Sequence, residues 1–265
     1  MADELTTFAD FAETLAEAAR TVTMPRWRDA GEARNKADDG RFDPVTEADV
    51  AAEEAIRALI EVEYPDHGIT GEEGDDRPGN GPWRWSLDPI DGTRSFVCGL
   101  PTWGTLIALL RDDQPVLGLI DIPRLGERYI GFDGSSRLSD HSGTHALKTS
   151  GCTSLAEARF SSTDPYLFAG IEYEAFEQLR RSARTTRYGL DSYGYARVAA
   201  GSLDLVVESG LKAHDYDALV PVIRGAGGSV GNWRGGGDLG TGQIIAAATP
   251  QLFEEAVRIL EAAAL

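Results

Sequence analysis

The run Trp83-Arg84-Trp85-Ser86-Leu87-Asp88-Pro89-Ile90-Asp91-Gly92-Thr93 reads as a strand that ends in a set of chemically useful side chains. Trp83 to Leu87 have the composition of a strand. Two carboxylates then stand three residues apart around a proline, followed by a glycine and a hydroxyl. Pro89 cannot donate a backbone hydrogen bond, and Gly92 permits positive φ or a close backbone approach. Oxygen-only ligands of this kind suit Mg²⁺ or Mn²⁺, and the amides after Gly92 are free to meet an anion.

On the N-terminal side, Leu5, Phe8, Phe11, Leu15, Ala19 and Val22 recur at helical spacing and predict a first helix. A loop of charged and small residues follows, through Gly31 and Asn35 to Gly40. Thr46-Glu47-Ala48-Asp49 resembles a helix start, and Ala52, Ile56, Leu59 and Ile60 give that helix a buried stripe. Pro65 to Gly68 closes it. Downstream, strands are expected at 83–87, 103–110, 115–121 and 127–132, with short connections that imply antiparallel neighbours and helices on one face of a meander. After about Gly143 strands and helices alternate: strands at 158–163, 184–188, 203–208 and 243–248, and helices at 168–183, 191–200, 215–226 and 250–263. The fold class is therefore α/β, with an α+β lobe over 1–142 that carries most candidate metal ligands. An α/β lobe over 143–265 carries Asp215 and the substrate-recognition candidates. The boundary is placed in the polar, glycine-rich stretch Asp133 to Gly151.

The formal charge of −18 argues against a general nucleic-acid binder, which needs a basic stripe. It also requires a phosphate site to bring positive charge of its own, which bound metal ions supply. Most of the 43 carboxylates serve solubility. Cys98 and Cys152 have no metal-ligand spacing and are expected as reduced thiols. The acidic start Met1-Ala2-Asp3-Glu4 is unlike a signal peptide, and no apolar run approaches the roughly 18–20 residues that span a bilayer. The expectation is a cytoplasmic protein without nucleic-acid or membrane partners.

Three acidic clusters carry the candidate chemistry: Glu72 with Glu73, Asp88 with Asp91, and Asp215 with Asp217. Each falls at the end of an expected element, where side chains project into a cleft from a rigid scaffold. Converging carboxylates repel one another and raise each other's pKa values, unless divalent ions lie between them. Taken singly, a Glu-Glu pair or an Asp-x-x-Asp is more often a solvated turn, and Asp215 could be a helix cap.

Gly71-Glu72-Glu73, Trp85 to Thr93, and Asp215 ahead of Gly225-Ala226-Gly227-Gly228 resemble the three signatures of the inositol monophosphatase family, in order and spacing. The resemblance covers nearly the whole chain. Within the family the chain is most similar to the histidinol-phosphate phosphatases, on Phe42 to Asp49, on Asp91-Gly92-Thr93-Arg94-Ser95-Phe96 with Gly99 to Ile107, and on Asp204 to Glu208 with Gly210-Leu211-Lys212. The resemblance implies a layered αβαβα sandwich and a phosphomonoesterase with two or three Mg²⁺ per site, Mn²⁺ being the alternative. It implies Glu72, Asp88 and the Ile90 carbonyl around one ion, Asp88, Asp91 and Asp215 around a second, and Glu72 with waters around a third. Gly92 and Thr93 would present amides to the phosphate. Thr93, hydrogen-bonded to Asp49, would orient and help deprotonate the attacking water, with Glu72 also catalytic and Glu73 behind it. A homodimer and inhibition by Li⁺ are implied in the same way.

By the same correspondence Glu208 matches an acid that contacts a substrate hydroxyl, and Asp191 falls on a position of the substrate pocket. Two acids near the alcohol suit a cationic substrate such as histidinol phosphate. The competing role for Asp191 is a cap for the helix that begins at Ser192. Arg94 is a candidate for phosphate or for the dimer partner. His214 and Asp217 depart from the family pattern and read as surface variation, Asp217 favouring a helix N-terminus. Gly235-x-Gly237-x-x-Gly240 fits a dinucleotide fingerprint formally, but without a preceding strand or following helix it is discounted. His141 and His145 flank a glycine and do not suggest zinc. Trp83, Trp85 and Trp103 are expected in the core or cleft wall. The alternatives that stay open are a phosphatase of inositol 1-phosphate or other sugar phosphates, and a catalytically silent, metal-dependent phosphate binder.

Overall fold

The computed structural model describes residues 2–28, 34–35 and 44–265. In chain order it contains α1 (Ala2–Arg26), β1 (Arg34–Asn35), β2 (Pro44–Val45), α2 (Glu47–Glu63), β3 (Gly68–Gly71), β4 (Trp83–Asp91), α3 (Thr93–Val97), β5 (Gly104–Arg111), β6 (Gln114–Ile122), β7 (Glu127–Phe132), β8 (Ser135–Asp140) and β9 (Gly143–Ala146). The second half adds β10 (Arg159–Ser162), α4 (Ile171–Ser182), β11 (Thr185–Tyr188), α5 (Ser192–Ala199), β12 (Leu205–Glu208), α6 (Ala213–Tyr216), α7 (Leu219–Gly225), β13 (Ser229–Asn232), β14 (Ile244–Ala247) and α8 (Pro250–Leu260). The loop expected through Gly31 to Gly40 lies outside the described residues apart from Arg34–Asn35, which pairs antiparallel with Pro44–Val45. Phe42 and Asp43 are likewise outside.

Strands β3 to β9 form one sheet in chain order, parallel only between β3 and β4 and antiparallel thereafter. The second sheet runs β11-β10-β12-β14-β13, with β14 antiparallel to both of its neighbours. Strand alternation assigns the layers. Trp85, Leu87, Ile107, Leu109, Leu117 and Leu119 face α1 and α2, where Leu15, Ile56 and Ile60 are buried. Leu106, Ala108, Leu110, Ile120 and Tyr129 point the other way, onto α5 and α7. These helices also cover Val206, Ile244 and Ala246 of the second sheet, whose opposite face (Phe160, Leu205, Val207, Ile245) packs on α4 and α8. The order is helices, sheet, helices, sheet, helices: the αβαβα sandwich.

Four expectations need correction. The first sheet has helices on both faces, because Leu106, Ala108 and Leu110 of β5 are as apolar as Ile107 and Leu109, which face α1. Asp133 to Gly151 contains β8 and the edge strand β9, whose polar side chains suit the half-exposed end of the sheet. Ser229–Asn232 is a strand, so the glycine fingerprint at 235–240 does follow one, though no helix opens from it. The helix expected over 215–226 is split into α6 and α7 at Asp217 and Ala218.

The middle layer is unusually close to the first sheet. Gly118 and Gly131 are cross-strand partners on β6 and β7. A Cβ at Gly118 would stand 2.0 Å from the Ala218 carbonyl oxygen, and one at Gly131 would stand 2.5 Å from that of Pro221. Helix α7 therefore rests on bare backbone, directly after the turn that carries Asp215.

Candidate active site

Strand β4 ends in the layer between the two sheets, and its register with β5 shifts between Asp88 and Asp91. That irregularity turns both carboxylates toward the same side instead of letting them alternate. Asp88 Oδ1 accepts the Ile90 amide at 3.1 Å, which closes the Pro89 turn. Gly92 then takes φ +78°, and Thr93 begins α3. Its first-turn amides have no acceptor within so short a helix.

Asp215 arrives from the far side on α6, where one oxygen accepts the Lys212 amide at 2.7 Å. Asp88, Asp91 and Asp215 each place one carboxylate oxygen so that all three lie within 4.8 Å of one another. Burial first, and then Glu72, Asp91 and Asp215, push the Asp88 carboxyl well above its usual range. Asp91 is pushed well up by burial and by Asp191, and Asp215 is raised mainly by burial. Three acids so close together, Asp88 buried and Asp91 and Asp215 half-buried, are strained by their own charge. Hard oxygen donors with this spacing fit a divalent cation such as Mg²⁺, which would relieve the repulsion.

A cavity of about 190 Å³ collects the remaining candidates: Glu72, Ile90, Gly92, Thr93, Arg94, Asp191 and Glu208 line it together with the three aspartates. The Thr93 hydroxyl donates to the Ile90 carbonyl at 3.0 Å and reaches Asp49 Oδ1 at 3.4 Å. Asp49 itself is buried at the start of α2, where its other oxygen accepts the Thr46 amide at 2.9 Å in a capping box. Burial raises its carboxyl, and the Thr46 bonds oppose that rise.

Asp191 precedes α5 with φ 49°, a left-handed conformation that is costly for an aspartate. It does not cap the helix. The amide of Ser192 instead donates to Asp91 Oδ2 at 2.7 Å, so a candidate metal ligand from the first sheet seats the N-terminus of α5. Asp191 Oδ2 accepts from the Ser95 hydroxyl at 3.1 Å and lies over Gly92, where a Cβ would meet it at 2.7 Å. Burial raises its carboxyl to about 6. Glu208, at the end of β12, accepts the Thr163 amide at 2.7 Å with one oxygen, while the other is buried and unpartnered. Burial pushes this carboxyl up to about 8.

Arg94 pairs with Asp164 at 3.3 Å at the cavity rim. His214 stands 3.7 Å from Asp215. Asp217 is not surface variation: it is 4% exposed, and burial raises its carboxyl to about 6 while Arg84 and His214 oppose the rise. The lining residues Thr163 and Leu167 had no signal in the sequence, and Leu211 had one only through the resemblance of Gly210-Leu211-Lys212. Glu53 did have one: it lies in line with Asp49, Ile56 and Ile60 on the buried face of α2. A larger cavity, about 690 Å³ between α7, β13 and α8, has Glu254 as its single acid and none of the aspartates.

Residues 4–264 match the inositol monophosphatase family model. The chain is 43% identical over 234 residues to the bifunctional phosphatase IMPL2, chloroplastic, of Arabidopsis thaliana, covering 88% of this chain and 66% of that protein. It is 36% identical over 222 residues to a histidinol-phosphatase of Chlorobaculum parvum, covering 83% and 84% respectively. Among solved structures, an inositol monophosphatase from Zymomonas mobilis superposes with a TM-score of 0.84 at 38% identity, covering 95% of this chain and 96% of that one. No helix among the described residues is long and apolar enough to cross a membrane. By its family match, its layered fold and its phosphatase relatives, the chain belongs to the inositol monophosphatase family of phosphoric monoester hydrolases.

Proposed function

We propose that the chain hydrolyses L-histidinol phosphate to L-histidinol and phosphate in a Mg²⁺-dependent reaction. The observation that carries the choice of substrate is a pair of acids, the half-buried Asp191 and the buried Glu208, in one cavity with Asp88, Asp91 and Asp215. Glu208 keeps an unpartnered oxygen there. A substrate ammonium or imidazolium would complete it, because a buried carboxylate is stable only when paired. Relatives named histidinol-phosphatase support the same reading.

Asp88, Asp91, Asp215, Glu72 and the Ile90 carbonyl would hold the cations, two or three in number. Bound there, they would neutralise phosphate charge and acidify water. Gly92 and Thr93 would direct backbone amides at the phosphate oxygens. The Thr93 hydroxyl would take the proton of the attacking water while passing its own to Asp49. A new P–O bond forms in line as the ester P–O bond breaks, and the departing alkoxide takes a proton from water.

Specificity constants for histidinol phosphate, inositol 1-phosphate and a sugar phosphate, with Mg²⁺ and with EDTA, test this reading. Histidinol phosphate should be turned over best, and only with Mg²⁺. A larger kcat/KM for inositol 1-phosphate would overturn the substrate, and absence of phosphate release with every ester would identify a silent phosphate binder.

A further inference from the structure

Helix α2 buries two carboxylates in line with its apolar stripe. Asp49 belongs to the site already described, but Glu53 does not line the cavity. Glu53 is 1% exposed, and its carboxylate points at the loop that follows β3. Oε2 accepts the Glu73 amide at 2.9 Å, and Oε1 accepts both the Gly74 amide at 2.9 Å and Arg57 Nε at 2.8 Å. Arg57 continues the grip by donating to the carbonyls of Gly74 at 3.1 Å and Asp75 at 3.0 Å. Two side chains one helical turn apart thus satisfy two amides and two carbonyls of a single loop.

Glycine at position 71 belongs to the same device. A Cβ there would stand 2.3 Å from Glu53 Oε1, so the loop can close on the carboxylate only because residue 71 has no side chain. Glu72 sits between the two anchor points. Its own amide donates to the Leu87 carbonyl at 3.2 Å, one residue before Asp88. The residues after it are held by Glu53. Glu72 is therefore fixed on one side to the strand that carries Asp88 and on the other to α2.

We infer that Glu53, braced by Arg57, is a positioning residue that sets divalent-cation affinity by holding the backbone of Glu72. This rests on the reading of Glu72 as a cation ligand. Glu53 does not line the cavity in which a cation would be held. Replacing it with glutamine keeps the volume but puts an NH₂ group in place of one acceptor oxygen, facing either the Glu73 amide or the Gly74 amide with Arg57, so the loop loses at least one anchor. Buried partners that orient a metal ligand in this way change metal affinity by about 10–100-fold when removed.

The test measures Mn²⁺ binding to the purified chain by electron paramagnetic resonance of the free ion, alongside the Mg²⁺ dependence of phosphate release. Glu53→Gln and Gly71→Ala should each weaken Mn²⁺ binding about tenfold or more and raise half-saturating Mg²⁺ in step. KM for the phosphate ester at saturating Mg²⁺ should stay within about twofold, since no substrate contact has changed. A lowered melting temperature with unchanged Mn²⁺ affinity would show a merely structural role and overturn the inference. If Glu53→Gln does not fold, Arg57→Lys keeps the charge but loses both carbonyl contacts, and unchanged affinity there overturns it equally. Glu72→Gln separates the two levels. If that variant binds Mn²⁺ normally, the ligand reading itself fails; if it binds weakly while Glu53→Gln binds normally, only the clamp fails.

Discussion

Replacing Glu208 by glutamine turns a buried acid into its neutral isostere, and the pH dependence of folding should register the change. The native carboxyl has one oxygen on the Thr163 amide and the other unpartnered, and burial raises it from 4.5 to about 8. Between those values the folded chain retains a proton that the unfolded chain has released. The stability this proton contributes is complete below pH 4.5 and is lost as pH rises through about 8. At ~1.4 kcal/mol per pH unit, the span from about pH 5 to about pH 8 corresponds to roughly 4 kcal/mol. For a chain of this size that is a melting-temperature difference of about 10 °C. Asp191 and Asp217, both raised to about 6, add slopes of the same sign, but they are present in both proteins and cancel in the comparison. Thermal melts followed by circular dichroism in EDTA, from about pH 5 to about pH 8.5, should show the wild type losing about 10 °C more than Glu208→Gln. The amide's own unpaired donor shifts the whole variant curve without changing its slope. Parallel curves would refute the argument that Glu208 is held protonated by burial.

Three further outcomes are expected. Mg²⁺ at about 100 times its Kd should stabilise the wild type by roughly 2.7 kcal/mol, a rise of about 5–10 °C that Asp88→Asn abolishes in a thermal-shift assay; no rise in the wild type would count against a cation site. Gly92→Ala forces an L-residue to φ +78° and brings a Cβ to 2.7 Å from Asp191 Oδ2. It should cost about 1–2 kcal/mol and lower kcat at least about tenfold, and a wild-type kcat would remove the requirement for glycine at position 92. Asp191→Asn should raise KM for histidinol phosphate about tenfold while changing that for inositol 1-phosphate by less than about twofold, and an unchanged KM for histidinol phosphate would end its assignment to substrate recognition.

Much of this was legible in the chain itself, for identifiable reasons. The stripe of α2 and the continuous apolar runs of β5 and β6 are strong because one helix face and both sheet faces are buried. The order of Glu72, Asp88, Asp91 and Asp215 marked element ends, and the structure does gather them around one cavity. What escaped was long-range or polar. Strands β8 and β9 lack an apolar alternation because they lie at the half-exposed end of the sheet, with β9 its edge, and β13 is short and follows two glycines. Ser192 could not be matched to Asp91, because their contact spans 101 residues and uses a backbone amide. Glu53 falls in line with the buried stripe of α2, but with Arg57 it also has the spacing of an ordinary solvated i,i+4 pair, and periodicity does not reveal that the 71–75 loop is the segment that covers it.

The paired glycines at 118 and 131 have a consequence for how inactivating substitutions should be distributed over the molecule. They act as a missing shim. With backbone against backbone, the central helical layer lies low enough for Asp215 to reach across to acids borne by a different sheet. A single methyl group at either glycine would wedge α7 outward and part the carboxylates without touching any of them. A scan of substitutions read by turnover should therefore show an island of intolerance in the middle of β6 and β7, with no reactive group in it. Adding stability elsewhere in the chain should restore folding there but not turnover, because what has been lost is a spacing.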